Sequence, residues 1–147
     1  MHIDANKKYS PQIIPTGILT LTPLVYGTWA YTNPADDLGE FNGTRFTATI
    51  ARRLLLNCRF YYRTMYAGAN MYIALVLNGG IKYKDWFPAT RNSVADDGSA
   101  QGCHMVVSPA VSLNPGDWIE FEVCQDSGFD CDCGQSIPNN WLTIESV

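Results

Sequence analysis

The sequence predicts a single all-β domain. Proline or glycine interrupts nearly every window that would otherwise hold an amphipathic helix, and β-branched and aromatic residues dominate between the interruptions. Turn signals recur along the chain: Asn33-Pro34, Asn42-Gly43, Asn78-Gly79-Gly80, Asp97-Gly98, Asn114-Pro115-Gly116 and Pro138-Asn139-Asn140. Several segments between these turns alternate apolar and polar residues, as a strand with one core-facing side requires.

The turns delimit strands at 18–31, 45–51, 56–66, 70–78, 102–111, 117–125 and 140–147. So many short strands in one domain make a sandwich, a barrel or a jelly roll. In 117–125, Ile119, Phe121 and Val123 face one way while Trp118, Glu120, Glu122 and Cys124 face the other. In 56–66, Cys58, Phe60, Tyr62 and Tyr66 oppose Arg59, Tyr61, Arg63 and Met65. In 141–147, Leu142 and Ile144 oppose Trp141, Thr143, Glu145 and Val147. Residues 1–16 lack this alternation; they are polar, carry Lys7-Lys8, and hold Pro11 and Pro15. They read as an N-terminal arm outside the sandwich, with 17–147 as the folded domain.

A chain of 147 residues supplies one full core, and its 46% hydrophobic content is ordinary for a globular protein. A net charge of −4 with scattered basic residues argues against nucleic-acid binding, which needs clustered lysine and arginine to neutralise phosphates. No apolar run is long enough for a secretory leader or a membrane span, so the expectation is a cytoplasmically made protein without a membrane partner. The five cysteines (Cys58, Cys103, Cys124, Cys131 and Cys133) are odd in number and irregular in spacing, unlike a secreted disulfide framework. Cys58 and Cys124 sit in apolar strands, where cysteine serves as a small hydrophobe. By parity with Phe60 and Tyr62, Cys58 should be a buried thiol. Cys131 and Cys133 should be an exposed pair in a loop.

Catalytic and metal chemistry find few groups to use, and neither catalytic residues nor a cofactor is expected. His2 and His104 are the only histidines, whereas a metal cavity on an all-β scaffold needs several converging ligands. Cys103 and His104 project to opposite faces of a strand and do not pair within it. Asp130-Cys131-Asp132-Cys133 has the ligand types for a soft metal, calcium or an inter-subunit disulfide, but the plainer reading is a solvated loop. Tyr83, Lys84, Asp85, Trp86 and Phe87 are the best candidates for an exposed ligand contact, although most aromatics on strands serve the core or an interface.

Three segments, in order, resemble the tumour-necrosis-factor-like jelly roll, especially the globular head of the first complement component and its phage relatives. They are Phe41-Asn42-Gly43-Thr44-Arg45-Phe46-Thr47-Ala48, the apolar strand ending in Asn78-Gly79, and Val111-Ser112-Leu113-Asn114-Pro115-Gly116-Asp117-Trp118-Ile119. A short last strand, Trp141-Leu142-Thr143-Ile144, closes the fold. One departure stands out: Ala51-Arg52-Arg53-Leu54 occupies the place of the family's glycine–tyrosine pair. Asp117 is read as a turn residue that satisfies amides before the strand begins.

The resemblance implies a jelly-roll β-sandwich that assembles as a homotrimer through one sheet. By the same analogy the segments 58–66, 117–125 and 140–147 become neighbours. The expected trimer interface is then Arg59, Tyr61, Arg63, Glu120, Glu122, Trp141 and Glu145. With no leader, stalk or anchor in view, the fitting role is a virion protein on the capsid surface, a phage decoration or cement protein. Its partner would be the major capsid protein. Lys7, Lys8, Tyr9, Ile13 and Ile14 of the arm would anchor it to the shell. The alternative is the receptor- or carbohydrate-binding head of a tail fibre. A small hydrolase is disfavoured because no paired catalytic carboxylates are identified.

Overall fold

The computed structural model describes residues 2–6, 12–14, 21–25, 29–31, 38–66, 70–88, 93–94, 99–126, 128, 131–133 and 141–147. Among them there is no helix, and the strands form two antiparallel sheets, one of nine strands and one of five. The fold is a jelly-roll β-sandwich. The larger sheet contains β1 (His2–Asn6), β2 (Gln12–Ile14), β4 (Trp29–Tyr31), β6 (Arg52–Tyr66), β9 (Ser93–Val94), β10 (Ser99–Val107), β11 (Val111–Leu113), β13 (Cys131–Cys133) and β14 (Trp141–Ser146). The smaller contains β3 (Thr22–Pro23), β5 (Arg45–Thr47), β7 (Asn70–Leu77), β8 (Gly80–Pro88) and β12 (Trp118–Gln125).

Alternation places the core. Leu54, Leu56, Cys58 and Tyr62 of β6, Leu142 and Ile144 of β14, and Val106 of β10 bury one face of the larger sheet. Ile119, Phe121 and Val123 of β12, with Met71, Ile73 and Leu75 of β7, bury the facing side of the smaller sheet. Each such side chain contributes about 1.5–3 kcal/mol on leaving water. Cys58 is fully buried as its parity required, and Cys124 is a second buried thiol.

The recurring turn motifs have local causes. In 41–46, Phe41 and Phe46 form a bridge across a tight turn, and Asn42 Oδ1 accepts from the amides of Thr44 at 3.0 Å and Arg45 at 2.8 Å. Gly43 sits at φ 95°, a backbone region that excludes most side chains, so the glycine spacing is a geometric requirement. At the other motif, Asp117 Oδ2 accepts from the Asn114 amide at 2.8 Å, and its Oδ1 accepts from Asn78 Nδ2 at 2.7 Å. Asn78 Oδ1 in turn accepts from the Trp118 amide at 2.9 Å, so the turn before β12 and the β7–β8 hairpin are tied together. Those hydrogen bonds hold the Asp117 carboxyl below its ordinary value, led by the Asn114 amide.

Where the sequence departs from the family pattern, an ion pair stands instead. Glu40 is buried, and its Oε1 accepts from the Thr49 amide at 2.7 Å and the Thr49 hydroxyl at 2.6 Å. Arg52 Nη2 lies 2.8 Å from Glu40 Oε2, close but not aligned as a hydrogen bond. Burial alone raises the Glu40 pKa, yet the Thr49 hydrogen bonds and Arg52 outweigh it and leave the carboxyl below its ordinary value.

Several expectations are corrected. The segment 1–16 is not wholly an arm outside the sandwich: β1 pairs with β14 and β4, β2 pairs with β13, and Ile3 and Ile14 are fully buried. The alternation of His2-Ile3-Asp4-Ala5-Asn6 was a period-two signal outweighed by the prolines and lysines that follow it, while β2 is too short to show a period. The expected strand 18–31 contributes to both sheets, since β3 pairs with β12 and β4 with β1. The Tyr83–Phe87 stretch, the expected ligand contact, lies on β8 paired with β7; Tyr83 is half-buried, and the side chains of residues 84–87 fall outside the described residues. Cys131 and Cys133 lie on a strand between β2 and β6, not in a loop, and their side chains fall outside the described residues.

Glu40→Ala should lower stability in urea by about 3 kcal/mol, because it leaves the Arg52 guanidinium, only 13% exposed, without its carboxylate. Glu40→Gln keeps an acceptor for Thr49 and should cost less. Equal losses in the two variants would mean that the charge contributes nothing.

Candidate functional site

The face of the larger sheet turned away from the core is built around β6. Because Leu54, Leu56, Cys58 and Tyr62 point inward, Arg53, Leu55, Asn57, Arg59 and Tyr61 point outward. Register then sets their neighbours. Arg59 lies between Met105 of β10 and Trp141 of β14, and Asn57 lies between Val107 and Thr143. Glu145 stands opposite Leu55, and Cys103 opposite Tyr61. Asn57 Nδ2 donates to Thr143 Oγ1 at 3.1 Å, which fixes the β6–β14 register on this face.

The face mixes apolar bodies with charge. Met105 is 59% and Val107 52% exposed, while Leu55, Tyr61 and Trp141 are half-buried beside Arg59 and Glu145. A broad sheet face with aromatic, aliphatic and arginine side chains in adjacent rows has the composition of a protein–protein interface. No cluster of metal-ligating side chains occurs among the described residues.

Of the predicted interface residues, the structure brings together Arg59, Tyr61, Trp141 and Glu145. The backbone of Arg63 pairs with Asp132 of β13 on the same strand, and its side chain falls outside the described residues. Glu120 and Glu122 are not there. Their strand β12 hydrogen-bonds to β3, β5 and β7 in the smaller sheet, so they lie on the opposite side of the sandwich. Met105, Val107 and Leu55 were missed; the continuous apolar runs Met105-Val106-Val107 and Leu54-Leu55-Leu56, apolar at both strand parities, were the available signal. Of the predicted shell-anchoring residues, Lys7, Lys8 and Tyr9 lie outside the described residues, Ile13 is on β2, and Ile14 is buried in the core. An anchoring contact through Ile14 is therefore excluded.

Glu120 and Glu122 form a different constellation. Arg45 Nε and Nη2 hold the Glu120 carboxylate at 3.0 and 3.2 Å, and the Arg45 guanidinium stacks 3.6 Å from the Trp118 ring centre. Around them Tyr72, Ala74, Val76 and Cys124 are buried, with Leu21 and Trp118 packed against them. Burial pushes the Glu122 carboxyl up to about 7, reinforced by the hydrogen bond and charge of Glu120 and opposed by Arg45. The residues beside Glu122 on the adjacent strands, Pro23 and Ala74, bring no compensating charge.

No family model matches the chain, and no curated protein matches its sequence. Among solved structures, the whole chain is similar to the Eiger TNF of S. frugiperda, with a TM-score of 0.64, 8% identity and 92% of that chain covered. It is likewise similar over its full length to murine APRIL, with a TM-score of 0.58, 12% identity and all of that chain covered. These likenesses establish a TNF-like fold.

The Glu122 carboxyl generates a pH dependence with a definite sign. Between the ordinary value of 4.5 and about 7, the folded chain keeps a proton that the unfolded chain has lost. Stability should therefore fall as pH rises through that window and level off above it. Thermal melting of the wild type should decline from about pH 5 to about pH 8, and Glu122→Gln should flatten that decline. An identical decline in the variant would assign it to another group.

Proposed function

We propose that this chain is an assembly and binding module that works as a homotrimer and is not an enzyme. We further propose that the trimer decorates the outer surface of a bacteriophage capsid, stabilising the shell by binding the major capsid protein. The observation that carries the trimer is the outward face of the larger sheet, where Met105 and Val107 are more than half exposed beside Tyr61, Arg59 and Trp141. An apolar and arginine-bearing face of this kind is stabilised when a second copy covers it, and a closed ring of copies leaves no such face over. The TNF-like fold is compatible with that assembly, and the decoration role rests on the resemblance of the 41–48, 78–79 and 111–119 motifs to phage relatives.

Anchoring to the shell is assigned to Lys7, Lys8 and Tyr9, which lie in sequence between β1 and β2, with Ile14 withdrawn because it is buried in the core. The site of synthesis is the host cytoplasm and the working location is the virion.

Light scattering of the intact protein at micromolar concentration should give about 49 kDa, three times 16.3 kDa. Met105→Glu changes a side chain that is exposed in the single chain, so it should preserve the β-sheet circular dichroism of the folded chain while dropping the mass toward 16.3 kDa. A wild-type mass of 16.3 kDa, or a trimer untouched by Met105→Glu, overturns the interface. Co-sedimentation with the parent virus shell checks the decoration role; binding to a glycan surface with no shell binding would replace it with a receptor-binding head.

A further inference from the structure

A cleft of about 300 Å³ opens at one edge of the sandwich, between β8 of the smaller sheet and the β10–β11 connection of the larger. Its floor is apolar: Leu75 is a core residue, and Leu77, Tyr83 and Val111 are partly buried against the same core.

Two irregularities shape it. On one wall, Tyr83 pairs with Leu75 but Ile81 pairs with Val76, so Lys82 is an extra residue in β8. On the other wall, Val107 pairs with Asn57 and Val111 with Leu54, so Ser108, Pro109 and Ala110 stand against only Leu55 and Leu56. Ser108 keeps its place there, donating its amide to the Leu56 carbonyl at 2.8 Å and accepting from the Leu56 amide at 3.1 Å through Oγ. The surplus falls on Pro109 and Ala110, which line the cleft mouth. Bulges at sheet edges bend the strand and re-aim a side chain. Here one of them sets an exposed lysine at the cleft, and Lys82 has no carboxylate partner among the described residues.

We propose that this cleft is a binding site for a small amphipathic carboxylate. Its alkyl or aryl body lies over Leu75, Leu77, Tyr83 and Val111, and its carboxylate meets the Lys82 ammonium. The volume is at the small end of ligand sites, which suits a molecule of about ten non-hydrogen atoms. Among the described lining residues Lys82 is the one cation, and over an apolar floor it selects a monoanion with an apolar body over a neutral sugar, whose hydroxyls would find few partners there.

The test is calorimetric titration of the intact protein with octanoate, and with 1-octanol as the chain without charge. Octanoate should bind saturably and more tightly than octanol. Lys82→Gln should weaken octanoate by about fivefold, the scale of one partly screened ion pair, leave octanol unchanged, and be rescued by Lys82→Arg. Ala110→Trp, at an exposed position of the mouth, should abolish both while melting at the wild-type temperature. The proposal fails if the wild type shows no saturable octanoate binding, if Lys82→Gln binds octanoate as the wild type does, or if folded Ala110→Trp retains it. Should Ala110→Trp not fold, the Lys82 series alone decides.

Discussion

The larger sheet depends on the hydrogen bonding of β6. This strand pairs with β10 and β11 along one side and with β14 and β13 along the other. A strand shared by so many partners has little freedom of register, since a shift of one residue would move Leu54, Leu56, Cys58 and Tyr62 out of the core and put Arg53, Arg59 and Tyr61 into it. The same alternation that drives β6 into the core thus fixes which side chains its outer face presents. Core packing and the composition of the outward face are two consequences of one register.

The two polar clamps secure the ends of this arrangement. Asn78, Asn114 and Asp117 bond turn to hairpin, where Gly79 and Gly116 adopt positive φ. Glu40, Thr49 and Arg52 hold the loop that feeds β6, so the start of the central strand is set by a buried charge and not only by apolar contact. The strands between the clamps are long and antiparallel, and most of their contacts join residues distant in sequence. Such a topology leaves turns and strand starts as the places where local chemistry has most influence.

Much of the fold was legible because alternation is a local property. The inward set in 118–125, the buried parity of Cys58 and the paired Leu142 and Ile144 all follow from period two, and each matches the structure. What alternation does not encode is partnership. Glu120 and Glu122 have the same polar parity as Arg59 and Arg63, and only the hydrogen-bond ladder of β12 with β7 places them on the other sheet. Short segments carry less signal: Ile14 is a core side chain in a strand of three residues, and the alternation around Ile3 in His2–Asn6 is only five residues long. The bulges at Lys82 and at Pro109–Ala110 are invisible for the same reason, since each exists only relative to a partner strand.

The outward faces of the two sheets differ in how far the chain itself has satisfied them. On the smaller sheet, Tyr72, Ala74, Val76 and Cys124 are buried beneath a local cluster with Leu21 and Trp118, and the Glu120 carboxylate is held on both oxygens by Arg45. Burial there is deep enough to raise the Tyr72 hydroxyl to about 12, helped by Cys124 and Glu122. On the larger sheet no second cluster of buried residues forms among the described residues, and Met105 and Val107 stay in water beside Arg59 and Asn57. Both outward faces keep exposed apolar groups, Ile81 on β8 of the smaller sheet and Met105 and Val107 on β10 of the larger, but among the described residues a buried cluster lies only on the smaller. That asymmetry arises from the position of β6 in the middle of the larger sheet, whose register sets Met105 and Val107 beside Arg59 and Asn57.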